Sequence, residues 1–326
     1  MFYKGRQSDK TERLTEYIPM LIERKRKARD IATRTLDNWN SLNNFIIEYE
    51  KENRTTIYFD SVNLIFYDKF VTHLRDRGQA DGTIGKNIKI LKTILGYATR
   101  EKYNYNKEYD HFKVMAPKSD AVYLNIRQIM KFYHLDLEDN SRLDRVRDLF
   151  VLSCFTGMRF SDTIALTSEN IKMDQDGEEF VEYIAEKSDT KATIYLNPVV
   201  KAILEKYNYN LPEISNQKAN QYLKELGQHA GLDSDYKISR VVARNREYEV
   251  VPFWSMIKTH TCRRSFITNL YLDGVPLNDI MAMSGHSDLR VLQNYIKAST
   301  QLRAQRSKEK ASYLNVISHT LPDKIL

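Results

Sequence analysis

Hydrophobic residues recur every three or four positions along most of this chain, which is the spacing of one face of an α-helix. Within the first 110 residues this pattern predicts four helical segments: 13–28, 32–53, 60–78 and 81–102. The third segment is expected to begin at the N-cap candidate Asp60 and to end at Gly78. The fourth segment has its apolar residues on one face, which predicts a buried stripe formed by Ile84, Ile88, Leu91, Leu95 and Ala98.

Residues 103–125 break the helical pattern and contain Pro117, which predicts a linker between two domains. Helical periodicity then returns in five stretches: 125–136, 141–155, 198–208, 215–231 and 260–297. Two β-rich runs, FVEYIA and ATIYL, flank a polar turn and predict a small hairpin. We therefore expect a mainly α-helical protein with a small β-sheet, divided into residues 1–112 and 113–326.

Composition narrows the class of protein without changing this picture. Of the 326 residues, 42% are hydrophobic and 29% are charged, as in folded globular proteins. No apolar run approaches the roughly 20 residues of a membrane-spanning helix, and the N-terminus has no apolar signal segment. Cys154 and Cys262 lie in apolar helical contexts and are expected in the core. The net charge of +7 favours an anionic partner without identifying one.

The stretch CFTGMRFSDTIAL is the first of several that could form an anion site. Gly157 is expected to end one helix, and Ser161 or Asp162 could cap the next. Arg159 would then lie in the turn, beside the free N–H groups of a helix N-terminus. The alternative, that Arg159 only pairs with a nearby carboxylate, stays open at this point.

The other stretches contribute lysine, arginine and histidine. Lys187 lies in the hairpin turn AEKSDTKA with Lys191 close by, although hairpin lysines are usually solvated. In HTCRRSF, His260 can share a helical face with Arg263 at i+3 or with Arg264 at i+4, and the spacing does not choose between them.

The stretch MSGHSDLRVLQNYIK combines a histidine with a tyrosine nine residues later. Gly285 is expected to end one helix and Ser287 to begin another, which places His286 in a tight turn. Tyr295 would then lie about two turns into the second helix. Because the chain has 21 tyrosines, any single one could equally be structural.

Taken in order, TGMRFSD, a hairpin lysine, HTCRR, SGHS and the later tyrosine resemble the motifs of the tyrosine recombinase (phage integrase) family. The stretches LTSENI, ITNLYLDG and NYIKAS are most similar to integrases and invertases of Bacteroides-type bacteria. The resemblance covers the second domain, as the catalytic domain, and extends more loosely to the first, as a helical (SAM-like) core-site DNA-binding domain. It implies a site-specific recombinase that cleaves and rejoins DNA through a 3′-phosphotyrosine, for integration or excision of a mobile element or for DNA inversion.

The resemblance also assigns roles to single residues. Tyr295 would be the nucleophile, and Arg159 and Arg263 would bind the scissile phosphate, since arginine offers planar, bidentate donors. Arg264 would then have a supporting role. Asp162 matches an acidic position that helps to organise such a site.

Proton transfer would fall to the remaining residues of the motifs. His260 and His286 would complete the hydrogen-bond shell of the phosphate, and a histidine could accept the proton of Tyr295. Lys187, or Lys191 as the alternative, would protonate the leaving 5′-oxygen. Because these groups supply the charge stabilisation, we expect neither a metal ion nor a cofactor.

The resemblance further identifies partners. Lys86, Lys89 and Lys92 lie opposite the apolar stripe of their helix, where lysines are usually solvated, and become a candidate DNA surface. The expected partners are double-stranded DNA with inverted-repeat core sites, accessory DNA-bending proteins and copies of the chain in a homotetramer. A C-terminal tail from about residue 300 would exchange between subunits. We expect a cytoplasmic protein at the bacterial nucleoid, with no membrane partner.

Two alternative functions remain open from the sequence. A type IB topoisomerase would use the same chemistry to relax DNA, and a non-catalytic DNA-binding protein could keep only the fold. The sequence before Thr11 has no room for the additional N-terminal arm-binding domain of many mobile-element integrases. The chain is therefore expected to be either a two-domain recombinase or a fragment, and integration, inversion and dimer resolution are not distinguished.

Overall fold

The chain folds into two compact units in the computed structural model, which describes residues 13–117, 120–186, 189–242, 245–297, 302–305 and 307, without the side chains of 240–246. One unit comprises Met1–Ser119 and Ile238–Glu249, and the other Asp120–Lys237 and Val250–Leu326. The first unit thus reaches residue 119, and the domain division after residue 112 stays a prediction. The segment Ile238–Glu249 comes from a part of the sequence for which we predicted no element.

The described part of the first unit is built on four α-helices. They are α1 (Leu14–Ala28), α2 (Thr33–Asn53), α3 (Leu64–Asp76) and α4 (Asp81–Arg100). The prediction that α3 begins at Asp60 is wrong, because Asp60 lies in a short 3₁₀ turn. Asn63 caps α3 instead, and its side chain accepts a hydrogen bond from the Phe66 N–H at 2.9 Å.

The predicted apolar stripe of α4 is confirmed, since all five of its residues are fully buried. The segment that follows α4 packs on this unit as well, because Tyr109 and Phe112 belong to its core. Gly85 allows this packing, because a Cβ at that position would lie 1.7 Å from the carbonyl oxygen of Met115. The first part of the predicted linker is therefore a packed part of the first unit.

The second unit contains the remaining described helices. They are α5 (Ile126–Tyr133), α6 (Ser141–Thr156), α7 (Phe160–Ile164), α8 (Pro198–Lys206), α9 (Asn216–His229), α10 (Thr259–Asp273), α11 (Leu277–Ser284) and α12 (Leu289–Gln293). The run from Val146 to Cys154 in α6 is buried on every side, so this helix forms the centre of the unit. Cys154 and Cys262 are both buried, as expected.

The predicted hairpin is part of a three-stranded antiparallel sheet with the order β1 (Ile171–Met173), β2 (Glu179–Ala185) and β3 (Thr190–Tyr195). Alternate residues of β2 point to opposite faces, so Val181, Tyr183 and Ala185 are buried whereas Ile184 is exposed. Tyr183 is paired with Ala192 of β3. The buried face of β2 and β3 supports the site described below.

Two further strands, β4 (Asp235–Val242) and β5 (Asn245–Pro252), form a separate two-stranded sheet. We did not predict them, although the pattern of VVARNREYEVV contains β-branched residues. Tyr248 and Val250 on β5 are largely exposed, so the alternation of buried and exposed positions that marks a strand is weak here.

Candidate active site

The turn between α6 and α7 brings Arg159 next to the buried face of the sheet. Gly157 ends α6 as predicted, with a left-handed φ of +66°. A side chain at this position would also clash, because its Cβ would lie 2.2 Å from Cδ1 of Phe266. Arg159 is itself the N-cap residue of α7 and no side chain caps this helix, so the expectation that Ser161 or Asp162 does so is wrong.

Arg263 on α10 is a fully buried arginine at the centre of the site. Its Nη1 donates to the Gly157 carbonyl at 2.7 Å, and its Nη2 donates to the Ser284 carbonyl at 2.5 Å. Nη2 also lies 3.2 and 3.3 Å from the two ring nitrogens of His286. Its Nε is buried without a hydrogen-bond partner among the described residues. Arg264 is only half-buried and makes none of these contacts.

Asp162 faces both arginines. Its Oδ2 lies 3.7 Å from Nη1 of Arg159, which is longer than a hydrogen bond, and each of these two buried atoms lacks a hydrogen-bond partner in the described structure. Burial raises the pKa of the Asp162 carboxyl group, against the opposing effect of the positive charges of Arg159 and Arg263. The site therefore holds two guanidinium groups and one carboxylate.

Tyr183 is a member of the site that we did not identify from the sequence. Its side chain points inward from β2, and its hydroxyl group is buried without a hydrogen-bond partner among the described residues. Burial raises the pKa of this hydroxyl group, and the charge of Arg263 acts in the opposite direction. The only advance signal was the alternation within FVEYIA, which places Tyr183 on the same face as Val181.

His286 lies in the turn after α11, which Gly285 ends as predicted, with a φ of +62°. A Cβ on Gly285 would lie 3.4 Å from that of Ala185, so this turn packs directly on the sheet. The ring is buried, and its Nδ1 lies 2.8 Å from Oγ of Ser284. Burial, followed by the charge of Arg263, lowers the pKa of His286 to about 3, so the ring is neutral at pH 7.

Tyr295 lies just beyond α12 rather than two turns into a helix, because α12 begins at Leu289 and ends at Gln293. Asp288, not Ser287, caps α12 by accepting a hydrogen bond from the Arg290 N–H. Oγ1 of Thr268 donates to the Tyr295 carbonyl at 3.2 Å and fixes the turn against α10.

The hydroxyl group of Tyr295 forms a hydrogen bond with Nε2 of His260, at 3.1 Å. Its ring lies against two more of the predicted site residues. The centroid of the His286 ring is 4.8 Å from that of Tyr295, in an edge-on arrangement, and Cζ of Arg263 is 5.7 Å from the same centroid. The structure thus brings Arg159, His260, Arg263, His286 and Tyr295 together in one unit.

The structure describes only one of the two candidate lysines of the hairpin. Lys187 lies outside the described residues. Lys191 is paired with Ile184 on the outer face of the sheet, opposite to the face that carries Tyr183. Its ammonium group lies 2.8 Å from Oε2 of Glu182 and its side chain is 64% exposed, so it points away from the arginines.

The candidate DNA-binding lysines lie on α4 in the first unit. Lys89 is exposed, and Lys86, also exposed, donates to Oδ1 of Asn38 at 2.6 Å. Lys92 donates instead to the carbonyl oxygens of Asp110 and Phe112, at 2.9 and 3.1 Å. Lys92 therefore ties the segment after α4 to the first unit.

The site contains four buried polar atoms that have no hydrogen-bond partner among the described residues: Arg159 Nη1, Asp162 Oδ2, Tyr183 Oη and Arg263 Nε. Three of them are hydrogen-bond donors or can act as donors, and leaving such a group unpaired costs about 1–3 kcal/mol. An anion with several oxygen atoms could accept hydrogen bonds from these three donors, which are on Arg159, Tyr183 and Arg263. The arrangement could thus bind an anion near a tyrosine whose hydroxyl group contacts a histidine.

Comparison with known proteins agrees with this chemistry. Residues 123–301 match the model of the phage integrase family, over more than half of the chain. The chain belongs to the phage integrase family. Residues 13–114 of this integrase-family protein match the phage integrase SAM-like domain, so a SAM-like domain precedes the catalytic domain.

The individual relatives share only a small part of the sequence with this chain. The integrase-family protein is 26% identical over 253 residues to tyrosine recombinase XerD of Staphylococcus aureus, which covers 76% of this chain and 82% of the relative. Its fold is similar to that of the Tn1549 transposon integrase in complex with a circular intermediate DNA, with a TM-score of 0.66, 15% identity and coverage of 92% and 99%. It is also similar to a lambda integrase tetramer bound to a Holliday junction, with a TM-score of 0.65, 16% identity and coverage of 89% and 78%.

The expected fold class is therefore confirmed, as a mainly helical protein with small sheets and a SAM-like domain before an integrase catalytic domain. Within the described part of the chain, no helix is both long enough and apolar enough to cross a bilayer.

Proposed function

We propose that this protein is a site-specific DNA recombinase that cleaves and rejoins DNA through a 3′-phosphotyrosine intermediate. The observation that carries the proposal is the set of buried polar atoms on Arg159, Tyr183 and Arg263 that have no hydrogen-bond partner among the described residues. Cζ of Arg263 lies 5.7 Å from the ring centroid of Tyr295. A phosphodiester carries a negative charge, and its oxygen atoms can accept hydrogen bonds from these groups. The similarity to tyrosine recombinase XerD supports the same activity.

The scissile phosphate would bind between the two arginines. Arg263 carries five N–H groups, and three of them are used by the carbonyls of Gly157 and Ser284 and by the His286 ring. Its Nε–H and one Nη1–H are left, and either could donate to the phosphate. The Nη1 of Arg159 and the Tyr183 hydroxyl group would donate to the same phosphate. These donors are already in place, so they can stabilise the charge of the transition state without rearrangement.

Tyr295 would attack the phosphorus atom and release the 5′-hydroxyl end of the broken strand. Its phenol must lose a proton as it attacks, since its ordinary pKa is about 10. His260 is placed to accept this proton, because its Nε2 lies 3.1 Å from the hydroxyl oxygen. The covalent bond to Tyr295 retains the energy of the phosphodiester, so the strand can be rejoined without a nucleotide cofactor.

The leaving 5′-oxygen needs a proton, and we propose that Lys187 donates it. The position of Lys191 supports this choice over the alternative, because its side chain is on the outer face of β3 in an ion pair with Glu182. Lys187 lies between the two strands in the sequence, in the polar turn of the hairpin.

DNA binding would extend to the first unit through Lys86 and Lys89, whose contribution would be sensitive to salt. Lys92 is less suited to this role, because two carbonyl oxygens already hold its ammonium group. We further propose inverted-repeat core sites and a homotetramer on DNA, for which the lambda integrase tetramer bound to a Holliday junction is the supporting precedent. The tail from residue 300, most of which lies outside the described residues, would connect the subunits.

Integration or excision of a mobile element is the outcome that the similarity to a transposon integrase favours. DNA inversion and dimer resolution are the other outcomes that the same chemistry allows. Such a protein would work on DNA in the bacterial cytoplasm, where accessory DNA-bending proteins could assist it.

The proposal is tested with a nicked suicide substrate, in which the cleaved strand cannot be rejoined. The wild-type protein is expected to form a covalent protein–DNA adduct, and the Tyr295→Phe variant is expected to bind the same DNA without forming an adduct. An adduct that persists in Tyr295→Phe would overturn the assignment of the nucleophile. Efficient relaxation of supercoiled DNA without a specific site and without strand exchange would favour a type IB topoisomerase instead.

A further inference from the structure

The first turn of α10 carries His260 but is not capped by the side chain of its own N-cap residue. That residue is Lys258, whose backbone is extended (φ −140°, ψ 165°) and whose ammonium group can donate hydrogen bonds but cannot accept one. The first N–H groups of a helix have no partner within the helix, and helix ends fray. His260 is the second residue of α10, so its position depends on whether this turn is formed.

Asn220 on α9 supplies the missing cap. Its Oδ1 accepts a hydrogen bond from the N–H group of Thr259, the first residue of α10, at 2.9 Å. A backbone N–H group can only donate, so this contact fixes which end of the Asn220 amide faces α10. The two residues are 39 positions apart in the sequence. The cap is therefore made by tertiary packing and not by a local motif of α10.

Asn220 is held in this orientation by its own neighbours. Its Nδ2 donates to the carbonyl oxygen and to Oδ1 of Asn216, both at 2.7 Å, and Nδ2 of Asn216 donates to Oγ1 of Thr259 at 3.1 Å. α9 also packs closely on the segment before α10, because a Cβ on Gly227 would lie 2.7 Å from Cβ of Trp254. The start of α10 is thus fixed to α9 by two asparagine side chains.

This cap acts on His260 more than on Arg263. Arg263 lies one turn later and is held independently, because its guanidinium group donates to two backbone carbonyls outside α10. Tyr295 is bonded through its carbonyl to Thr268, in the middle of α10, and its hydroxyl group lies 3.1 Å from Nε2 of His260. Of these groups on α10, only His260 lies in the first turn, so fraying of that turn would separate it from the tyrosine.

We propose that Asn220 is a positioning residue that caps α10 from α9 and so keeps His260 within hydrogen-bond distance of the Tyr295 hydroxyl group. The inference rests on the proposed function for the role of His260 as the proton acceptor. The cap itself is a property of the DNA-free protein and is measured without DNA.

The first experiment follows hydrogen exchange of single backbone amides in the DNA-free protein by NMR. We expect the Thr259 amide to be protected in the wild type and to exchange about tenfold faster or more in Asn220→Ala, because its acceptor is removed. The amide of Val200 is the reference, since it donates at 2.9 Å to Oδ1 of Asn197, the N-cap residue of α8. It should be unchanged in Asn220→Ala and less protected in Asn197→Ala.

The second experiment measures single-turnover adduct formation on the suicide substrate at saturating DNA. Asn220→Ala is expected to react about 5–30-fold more slowly than wild type, the factor that corresponds to the loss of an N-cap. Its affinity for DNA is expected to be unchanged, because Arg263 keeps its contacts. Asn197→Ala is the matched control, since it also removes an asparagine cap from a helix of the second unit, and it should react at the wild-type rate.

Two double variants distinguish positioning of His260 from a general loss of structure. In the His260→Ala background, Asn220→Ala should slow adduct formation little further, because a residue that acts through another has no effect once the other is removed. Lys258→Ser gives α10 a local side-chain acceptor at its N-cap. In that background Asn220→Ala should also cause little further loss.

Equal exchange of the Thr259 amide in wild type and Asn220→Ala would overturn the cap. A full additional loss in the His260→Ala or the Lys258→Ser background would overturn its action through the first turn of α10. The two levels of the proposal fail separately. The expected exchange without any adduct from the wild type would contradict the proposed function and leave the cap intact, whereas a wild-type rate in Asn220→Ala would contradict only its positioning role.

Discussion

Replacing Tyr183 with phenylalanine is expected to make the DNA-free protein more stable and DNA cleavage slower. The tyrosine ring is buried on the inner face of β2, and its hydroxyl group has no hydrogen-bond partner among the described residues. The substitution keeps the ring and removes only this hydroxyl group. The two effects therefore have opposite signs, which a general loss of structure cannot produce.

The size of each effect follows from the contacts of this hydroxyl group. A buried polar group without a partner costs about 1–3 kcal/mol, so its removal should stabilise the DNA-free protein by about 1 kcal/mol. For a unit of about 200 residues this corresponds to a rise in melting temperature of roughly 2–4 °C. A hydrogen bond to a charged phosphate contributes about 1.5–3 kcal/mol, so cleavage should slow by roughly 10–150-fold.

Thermal unfolding and single-turnover adduct formation on the suicide substrate measure the two effects. Tyr195→Phe on β3 is the control, because the hydroxyl group of Tyr195 donates to Oδ2 of Asp174 at 2.9 Å and its side chain is largely exposed. We expect this control to cleave DNA at the wild-type rate. A Tyr183→Phe variant that unfolds at a lower temperature, or that cleaves as fast as wild type, would refute the proposed contact with phosphate.

Three further predictions concern the turn, the hairpin and the buried histidine. Gly157→Ala should lower the free energy of unfolding by about 2–5 kcal/mol in a denaturant titration, because a left-handed residue and a steric clash add. Gly177→Ala, which has a φ of +80° but nothing within 4 Å of its Cβ, should lose only about 1 kcal/mol. Lys187→Ala should slow adduct formation by about 100-fold or more, whereas Lys191→Ala should leave it near the wild-type rate. The pKa of His286 is lowered to about 3, so the unfolded chain binds the proton first as the pH falls. Stability should thus decrease by about 2 kcal/mol between pH 7 and pH 5, a loss that denaturant titrations of His286→Asn should not show.

Each of these predictions has a clear contrary result. If Gly157→Ala and Gly177→Ala lowered the free energy of unfolding equally, the ring of Phe266 would have moved aside without cost. A strong defect in Lys191→Ala together with normal cleavage by Lys187→Ala would reverse the assignment of the general acid. The same acid dependence in wild type and His286→Asn would show that other groups, not this histidine, control stability in that range.

Much of the fold and of the site was predictable from local pattern. The stripe of α4 follows from helical spacing, because a helix that packs on one side must repeat apolar residues every three or four positions. Gly157 and Gly285 mark helix ends because only glycine adopts their left-handed backbone without strain. The helix starts at Asp60, Ser161 and Ser287 were wrong, because several neighbouring polar residues can cap a helix and packing selects one of them.

What only the tertiary structure decided is how the functional groups are partnered. The sequence by itself determined the order of the motifs, the helical frame that carries them and the placement of His260 on one helix with both Arg263 and Arg264, since these depend on neighbours along the chain. It did not indicate Tyr183, because the role of this residue depends on Arg263, about 80 residues away, which packing alone brings close. Burial and unpaired donors are properties of that packing, and they turn a series of motifs into a candidate anion site.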